Sequence, residues 1–459
     1  MFRYFIILTF SSIYLFANEL ENLNLTYSWL GFTVLFIFII GYYFIANEEK
    51  YKLDKAIPAL VIGVSSFLLI SVYYYINDLD INLVHNELEK VILEIAEILF
   101  FLFVAMTYIE VLIYLKVFDS LKYKLISKEY SYKKLFYLTG LIAFFLSPIA
   151  DNLTTALILA TVLVTIENKN KQFLVPSAIN IVVAANAGGV WSPFGDITTL
   201  MTWTAEKANF IDFLFLFPAS ISGYLLTAFL LSRFVPNDKP SFDSSKQLKP
   251  KMKVGAKGAI LLGLITLLSA VISHQILGFP AMWGMMFGLT LLKIYSYILS
   301  RKYAFDQLNI LQAMSKVEIN TLLFFFGILS AVAALYFIGW LTLLSSVYKP
   351  DILGPTLSNI LVGFLSAIVD NVPVMSAVLK ANPSMDTSQW LLITLTAGIG
   401  GSLISFGSAA GIGVMGKVKG IYTFNSHMKY AWTIILGYAA SIAIWYLQFA
   451  FLNIHININ

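Results

Sequence analysis

Residues 147–155 read Ser147-Pro148-Ile149-Ala150-Asp151-Asn152-Leu153-Thr154-Thr155, and residues 366–371 read Ser366-Ala367-Ile368-Val369-Asp370-Asn371. Each stretch interrupts a long apolar segment, 136–166 and 353–380, at its middle. A carboxylate at the centre of a bilayer costs roughly 2.5–3.5 kcal/mol on insertion scales. An Asp-Asn pair at that depth therefore needs a compensating cation, proton or polar partner. The two pairs lie 219 positions apart, from Asp151 to Asp370. A second pair of motifs follows downstream. Ala187-Gly188-Gly189 with Phe194-Gly195-Asp196 is matched by Ile399-Gly400-Gly401 with Phe406-Gly407-Ser408, 212 positions on from Gly188 to Gly400. The same motifs in the same order at similar offsets mark an internal repeat.

The composition sets the solvent. Of 459 residues, 59% are hydrophobic, 15% aromatic and 12% charged. The charged share is about half the ~25% of a soluble chain, and mean hydropathy is +0.79. This excludes a soluble enzyme, a nucleic-acid binder and a disordered scaffold. The net charge of +4 is too small to call for a polyanion partner, and no nucleic acid is expected. The absence of cysteine excludes thiol catalysis, Cys-ligated zinc and disulfides. Nothing in the sequence calls for a cofactor. The long apolar runs predict an all-α polytopic membrane protein. Spans are expected at about 28–46, 56–76, 91–117, 174–203, 210–235, 258–276, 280–298, 319–346, 389–416 and 430–452. Residues 1–17 run from Arg3 through an apolar core to Ala17 before Asn18-Glu19, the pattern of a cleavable signal peptide.

Lysine and arginine orient the spans, because basic loops stay on the cytoplasmic side. Loop 47–55 has three Lys, loop 119–134 has five, and 236–257 has six. Loop 77–90 is acidic and is expected outside. Lys169 and Lys171 make the far end of 136–166 basic too, so both its ends face the cytoplasm. A segment with both ends on one side does not cross. The expectation is a re-entrant helical hairpin with Asp151-Asn152 at its tip, and a hairpin of opposite orientation at 353–380. The division that follows is 18–90 as N-terminal spans and 91–235 as a first repeat with hairpin 136–166 and broken helix 174–203. A linker at 236–257 and connecting helices at 258–318 precede a second repeat at 319–459 with hairpin 353–380 and broken helix 389–416. Inverted-topology repeats around discontinuous helices are the architecture of secondary transporters.

The polar residues at membrane depth suit a hard monovalent cation. Such ions prefer carboxylate, amide, hydroxyl and backbone-carbonyl oxygens. The first half offers Asp151, Asn152, Thr154, Thr155, Asn186, Ser192, Asp196, Thr198 and Thr199; the second offers Asp370, Asn371, Ser376, Ser402, Ser405 and Ser408. Gly188, Gly189 and Pro193, with Gly400 and Gly401 opposite, are the expected helix breaks. Asp196 aligns with Ser408, so the first half has an extra carboxylate. Asp151 and Asp196, held together in low dielectric, cannot both stay ionised without a cation. Protonation and cation binding would then compete, the simplest basis for antiport. Asp370 also reads as a helix cap for the freed N–H groups of its hairpin. Glu94, Glu97 and Glu110 are weaker signals, as is His427, read as a loop histidine. Residues 303–318, ahead of the 319–346 span, look like an interfacial amphipathic helix. His85, His274 and His455 look peripheral.

These stretches resemble the NhaD-type sodium/proton antiporters of the ion transporter superfamily. The likeness lies in 147–155, in Asn186 to Thr199 and in Asp370-Asn371 with its flanks. It continues in Gly400-Gly401-Ser402-Leu403-Ile404-Ser405-Phe406-Gly407-Ser408. It runs from the 91–117 span to the C-terminus. The resemblance implies exchange of Na+ or Li+ for H+ across the bacterial inner membrane. It further implies an ion path lined by Asp151, Asn152, Asn186, Asp196, Thr198, Thr199, Asp370, Asn371, Ser405 and Ser408, with Na+ at Asp151 and Asp196. By analogy with the superfamily's dicarboxylate members, it implies a homodimer with a moving transport domain.

Two rivals are weaker. A sodium-coupled dicarboxylate carrier of the superfamily resembles this architecture, but its hairpin tips carry Ser-Asn-Thr, and Asp here would repel a substrate carboxylate. An intramembrane aspartyl protease also pairs intramembrane Asp residues, but its Gly-x-Gly-Asp signature is missing ahead of Asp196.

Overall fold

A computed structural model describes residues 24–128, 130–240, 251–303 and 310–452. The expected signal peptide (1–17) and His455 lie outside the described residues, as do parts of the 236–257 linker and of the 303–318 segment. The described residues form helices and no strand. Ten of their helices are long and apolar enough to cross a membrane. Many outward-facing side chains, including Phe36, Val61, Leu261 and Phe287, are large, apolar and exposed. That is the surface of a multi-pass membrane protein, whose solvent is lipid and whose backbone groups must be satisfied within helices.

Leaving aside several short helical segments, the helices in chain order are α1 (Trp29–Ala46), α2 (Ala56–Ile76), α3 (Ile81–Tyr114), α4 (Val117–Ile126), α5 (Tyr132–Ala150), α6 (Asn152–Ile166), α7 (Lys171–Gly189) and α8 (Ile197–Thr204). There follow α9 (Phe217–Leu231), α10 (Ala256–Val271), α11 (Ala281–Tyr303), α12 (Ile319–Ile338), α13 (Trp340–Val347) and α14 (Gly354–Leu365). The chain closes with α15 (Asn371–Ala381), α16 (Thr387–Gly400), α17 (Ala409–Lys417), α18 (Phe424–Met428) and α19 (Ala431–Tyr446).

Three segments differ from the sequence expectation. Residues 81–90 are the first turns of α3 rather than part of an acidic loop. Glu87, Glu89 and Lys90 are good helix formers, and His85 meets Glu89 one turn on at 3.1 Å. The expected 319–346 span is two helices, because Gly339 takes φ +108, a left-handed conformation open to glycine. His274, read as peripheral, is half-buried, with its Nε2 3.1 Å from the carbonyl of Trp203.

The chain falls into two compact units. One comprises residues up to 95, with 323–346 and 380–382. Here α1 packs on α2. Gly63 and Gly327 let α2 and α12 touch backbone to backbone, since a Cβ at either would strike the other helix's main chain. Lys380 and Glu94 pair at 2.6 Å.

The other unit comprises 96–322, 347–379 and 383–459 and holds both Asp-Asn motifs. In it α5 packs on α7, α14 on α16, and α6 on α17. The motifs of the two halves make matching contacts. Ser147 Oγ donates to the carbonyl of Ala185 at 2.6 Å, and Ser366 Oγ to that of Ala397 at 2.8 Å. A Cβ on Gly188 would collide with the Phe144 carbonyl, and one on Gly400 with the Gly363 carbonyl. Glycine at these positions permits close helix approach, and α7 ends at Gly189 just as α16 ends at Gly400. Pro193 lies in the non-helical stretch after α7, and Gly401 caps the end of α16.

Candidate ion-binding site

Four helix ends converge on the site, and each is made by a local capping rule. Asp151 lies between α5 and α6 at φ +54, a backbone region that costs an L-residue energy. It caps α6, with Oδ1 accepting from the Thr154 N–H and Oδ2 from the Thr154 hydroxyl, both at 2.8 Å. Asp196 caps α8 in extended conformation, and Thr199 completes a capping box with it. Ser408 caps α17 with nearly the same backbone angles as Asp196 (φ −147 and ψ 156 against φ −149 and ψ 153). Asp370 stands just before α15 and accepts from the Val372 N–H at 3.3 Å.

Asp196 is the hub. Its Oδ2 accepts from Asn152 Nδ2 at 2.8 Å and from Asn371 Nδ2 at 2.9 Å. Its Oδ1 accepts from the Thr198 N–H at 3.1 Å. Asn186, on α7, ties the rest together. Its Oδ1 accepts from Asn152 at 3.1 Å, while its Nδ2 donates to Ser402 Oγ at 2.8 Å and Ser408 Oγ at 2.9 Å. Asn152, Asn186, Asp196, Asn371, Ser402 and Ser408 are all buried. An ion taken from water into such surroundings loses several kcal/mol of solvation. Three N–H donors to one carboxylate replace part of that loss, and amide and hydroxyl oxygens within the same network are ligand types for a hard cation.

Asp151 and Asp196 also line one cavity of about 350 Å³. Its remaining wall is nearly all apolar, with Phe101 and Tyr108 from α3, Phe194, and Ile260 and Thr266 from α10. Tyr108 and Thr266 pair at 2.7 Å. The sequence reading gave α10 no part near the site, and nothing in its apolar run signals one.

The structure thus brings together Asp196, Asn152, Asn371, Asn186, Ser402 and Ser408 in one hydrogen-bonded network. Asp151 joins them across the cavity rather than by a direct bond. Thr199 buttresses the Asp196 turn, with its hydroxyl 2.6 Å from the Asp196 carbonyl. Thr198 is buried beside it. Ser405 is fully buried, and its Oγ has no hydrogen-bond partner among the described residues. Asp370 lies next to Asn371 and is not part of the cavity wall. His427, read as a loop residue, is buried, with Nδ1 2.8 Å from the Tyr422 hydroxyl and Nε2 3.2 Å from the Leu403 carbonyl.

Known proteins align with this chain over nearly all its length. The citrate transporter family model matches residues 26–398. The Na(+)/H(+) antiporter NhaD of Vibrio cholerae is 41% identical over 448 residues, 92% of this chain and 93% of that protein. NhaD of Alkalimonas amylolytica is 42% identical over 453 residues, covering 94% and 93%. Sodium/proton antiporter 1 of Arabidopsis thaliana is 30% identical over 433 residues, covering 91% and 72%. With the buried Asp-Asn network and end-to-end likeness in agreement, the chain belongs to the NhaD-type antiporter family, within reach of the citrate transporter model.

Proposed function

We propose that this protein exchanges Na+, or Li+, for H+ across the bacterial inner membrane by alternating access. The observation that carries the reading is the double donation of Asn152 and Asn371 to Asp196 Oδ2. A carboxylate held by two amides from opposite halves of the chain is placed to trade those donors for a cation. When Na+ binds, the same amides can turn and offer Oδ1, and the hydroxyls of Ser402, Ser405 and Ser408 are buried at the same end of α16 and α17. Asp151, across the cavity, supplies the second carboxylate. Two carboxylates and one Na+ leave room for protons to compete, so a proton gradient can drive Na+ outward.

The two Asp-Asn hairpins are re-entrant and opposed in this reading, and the repeats 91–235 and 319–459 are inverted. The matching contacts of Ser147 and Ser366 support an evolutionary pair. A homodimer is part of the same proposal. The second reading is a citrate or dicarboxylate carrier, favoured by the family model's description. It is disfavoured by Asp151 and Asp196, which would repel an anion from the cavity they share. Purified protein in liposomes loaded with acid buffer and diluted into radioactive sodium separates the two. Sodium uptake driven by the imposed pH difference, with none for labelled citrate or succinate, supports antiport. Sodium-dependent uptake of the organic acid overturns it.

A further inference from the structure

Each broken helix ends in a turn that an outlying segment clasps, and the two clasps match. In the first half Phe210 packs on Phe194 with ring centroids 5.8 Å apart; in the second Phe424 packs on Phe406 at 5.6 Å. Phe406 lies 212 positions on from Phe194, and Phe424 lies 214 on from Phe210. The second register continues to Gly223 and Gly437, where a Cβ on either would strike the other's carbonyl. In that register His427 stands where the first half has Phe213. Both are fully buried, but only the histidine can hydrogen-bond. The polar ties differ accordingly. Ser192 Oγ donates to the Pro148 carbonyl at 3.0 Å and holds the first turn to its own hairpin. Its counterpart 212 positions on is Ile404, whose side chain has no donor. The second turn is tied instead by His427, whose Nε2 donates to the Leu403 carbonyl at 3.2 Å. The Tyr422 hydroxyl, 2.8 Å from Nδ1, donates to that nitrogen and so fixes the tautomer.

We propose that His427 is a positioning residue for the cation, acting through the Leu403 carbonyl on the serines of the 401–408 turn. The inference rests on the exchange reading above. Ser402 and Ser408 share one donor, Asn186 Nδ2, at 2.8 and 2.9 Å. No helix runs between Gly400 and Ala409, so only a tightly folded turn brings both hydroxyls within reach of one nitrogen. Gly401 and Gly407 give that turn little stiffness of its own. His427 holds it one residue from Ser402, and Phe424 holds it two residues from Ser408. A binding constellation works only when kept within about 0.5 Å of its productive geometry. A turn freed at Leu403 leaves a buried carbonyl unpaired and lets the Ser402, Ser405 and Ser408 hydroxyls shift. The smaller Li+ needs the tighter shell and loses more than Na+.

His427→Leu keeps apolar bulk and removes both hydrogen bonds, while His427→Gln keeps an amide N–H to offer Leu403. Exchange by purified protein in liposomes, driven by an imposed pH difference, gives KM and maximal rate for Na+ and for Li+. His427→Leu is expected to raise the KM for Na+ about tenfold and that for Li+ at least about threefold more, with the maximal rate per inserted protein within about twofold. His427→Gln is expected to stay within about threefold of wild type for both ions. A purely structural role would lower the amount of active protein and leave both KM values in place, and that result overturns the proposal. A glutamine variant as impaired in KM as the leucine variant overturns it equally. Where the leucine variant fails to insert, Tyr422→Phe decides, since it removes only the hydroxyl that sets the tautomer. Its expected rise in KM for Na+ is about threefold, again with a larger rise for Li+. Wild-type values for both ions in that variant overturn the proposal. Wild-type liposomes that show no proton movement coupled to Na+ or Li+ reject the exchange reading instead.

Discussion

Asn152 and Asn371 donate to the same oxygen, Oδ2 of Asp196, at 2.8 and 2.9 Å. They begin α6 and α15, the second helices of the two Asp-Asn motifs, so a single carboxylate fastens both halves of the chain. Asn152→Ala and Asn371→Ala should each remove one charge-assisted hydrogen bond, worth about 1.5–3 kcal/mol. The expected outcome is a lowered melting temperature in detergent together with a raised KM for Na+. Because both donors share one acceptor, the double variant should be non-additive in a double-mutant cycle.

Ser405 separates a structural from an ion-binding role. A buried hydroxyl without a partner contributes nothing to stability and costs its own desolvation. Ser405→Ala should therefore leave the melting temperature unchanged or raised. If the hydroxyl is a cation ligand, the same variant weakens Na+ affinity, read as a higher KM in proteoliposome flux.

The close-approach glycines should fail in parallel. Alanine at Gly188 or Gly400 would drive a methyl group into a backbone carbonyl of the neighbouring helix. Overpacking of this kind costs about 1–3 kcal/mol. Gly416, on α17, has open space around a built Cβ. Gly416→Ala should instead stabilise by up to about 1 kcal/mol, the helix-propensity difference. Thermal unfolding of the three variants, purified side by side, checks the order.

Acid should loosen the 422–427 segment. Burial among apolar groups holds the His427 imidazole below its ordinary 6.5, at about 4, despite the Leu403 carbonyl that favours its charged form. The carbonyl accepts from Nε2, so Nδ1 accepts from the Tyr422 hydroxyl and the ring is neutral. The unfolded chain takes up this proton near pH 6.5 and the folded one only near pH 4. Stability from this group is therefore flat above pH 6.5 and falls by up to one proton's worth of slope between 6.5 and 4. Glu167 adds a second fall at lower pH. Burial opposes its charge, but the Tyr132 hydroxyl and three backbone N–H groups outweigh that and hold its carboxyl below the usual 4.5. Melting temperature against pH should show the upper fall in wild type and a shallower one in His427→Gln.

How much of this could be read from the sequence varies with the physics involved. The helical class, the Asp-Asn motifs and the broken helices were legible because charge and glycine inside apolar runs are costly and therefore conspicuous. Asp196, Asn152, Asn371 and Asn186 could be named for the same reason. The sequence could not say that Asn371 reaches Asp196 across 175 positions, since that contact is set by helix packing. Nor could it place Asp151 across a cavity instead of beside Asp196. The role of α10 was hidden because its cavity-facing residues, such as Ile260 and Gly263, look like any apolar span. The break at Gly339 and the burial of His427 were missed because each depends on tertiary contacts that one residue's identity does not reveal.

The most direct test uses everted vesicles from antiporter-deficient bacteria, energised by respiration and followed with a fluorescent ΔpH probe. Wild-type protein should dissipate the pH gradient when NaCl or LiCl is added, and Asp196→Asn, inserted to the same level, should not. Dissipation that survives Asp196→Asn unchanged would contradict the claim that this carboxylate, bound by Asn152 and Asn371, is where the ions are exchanged.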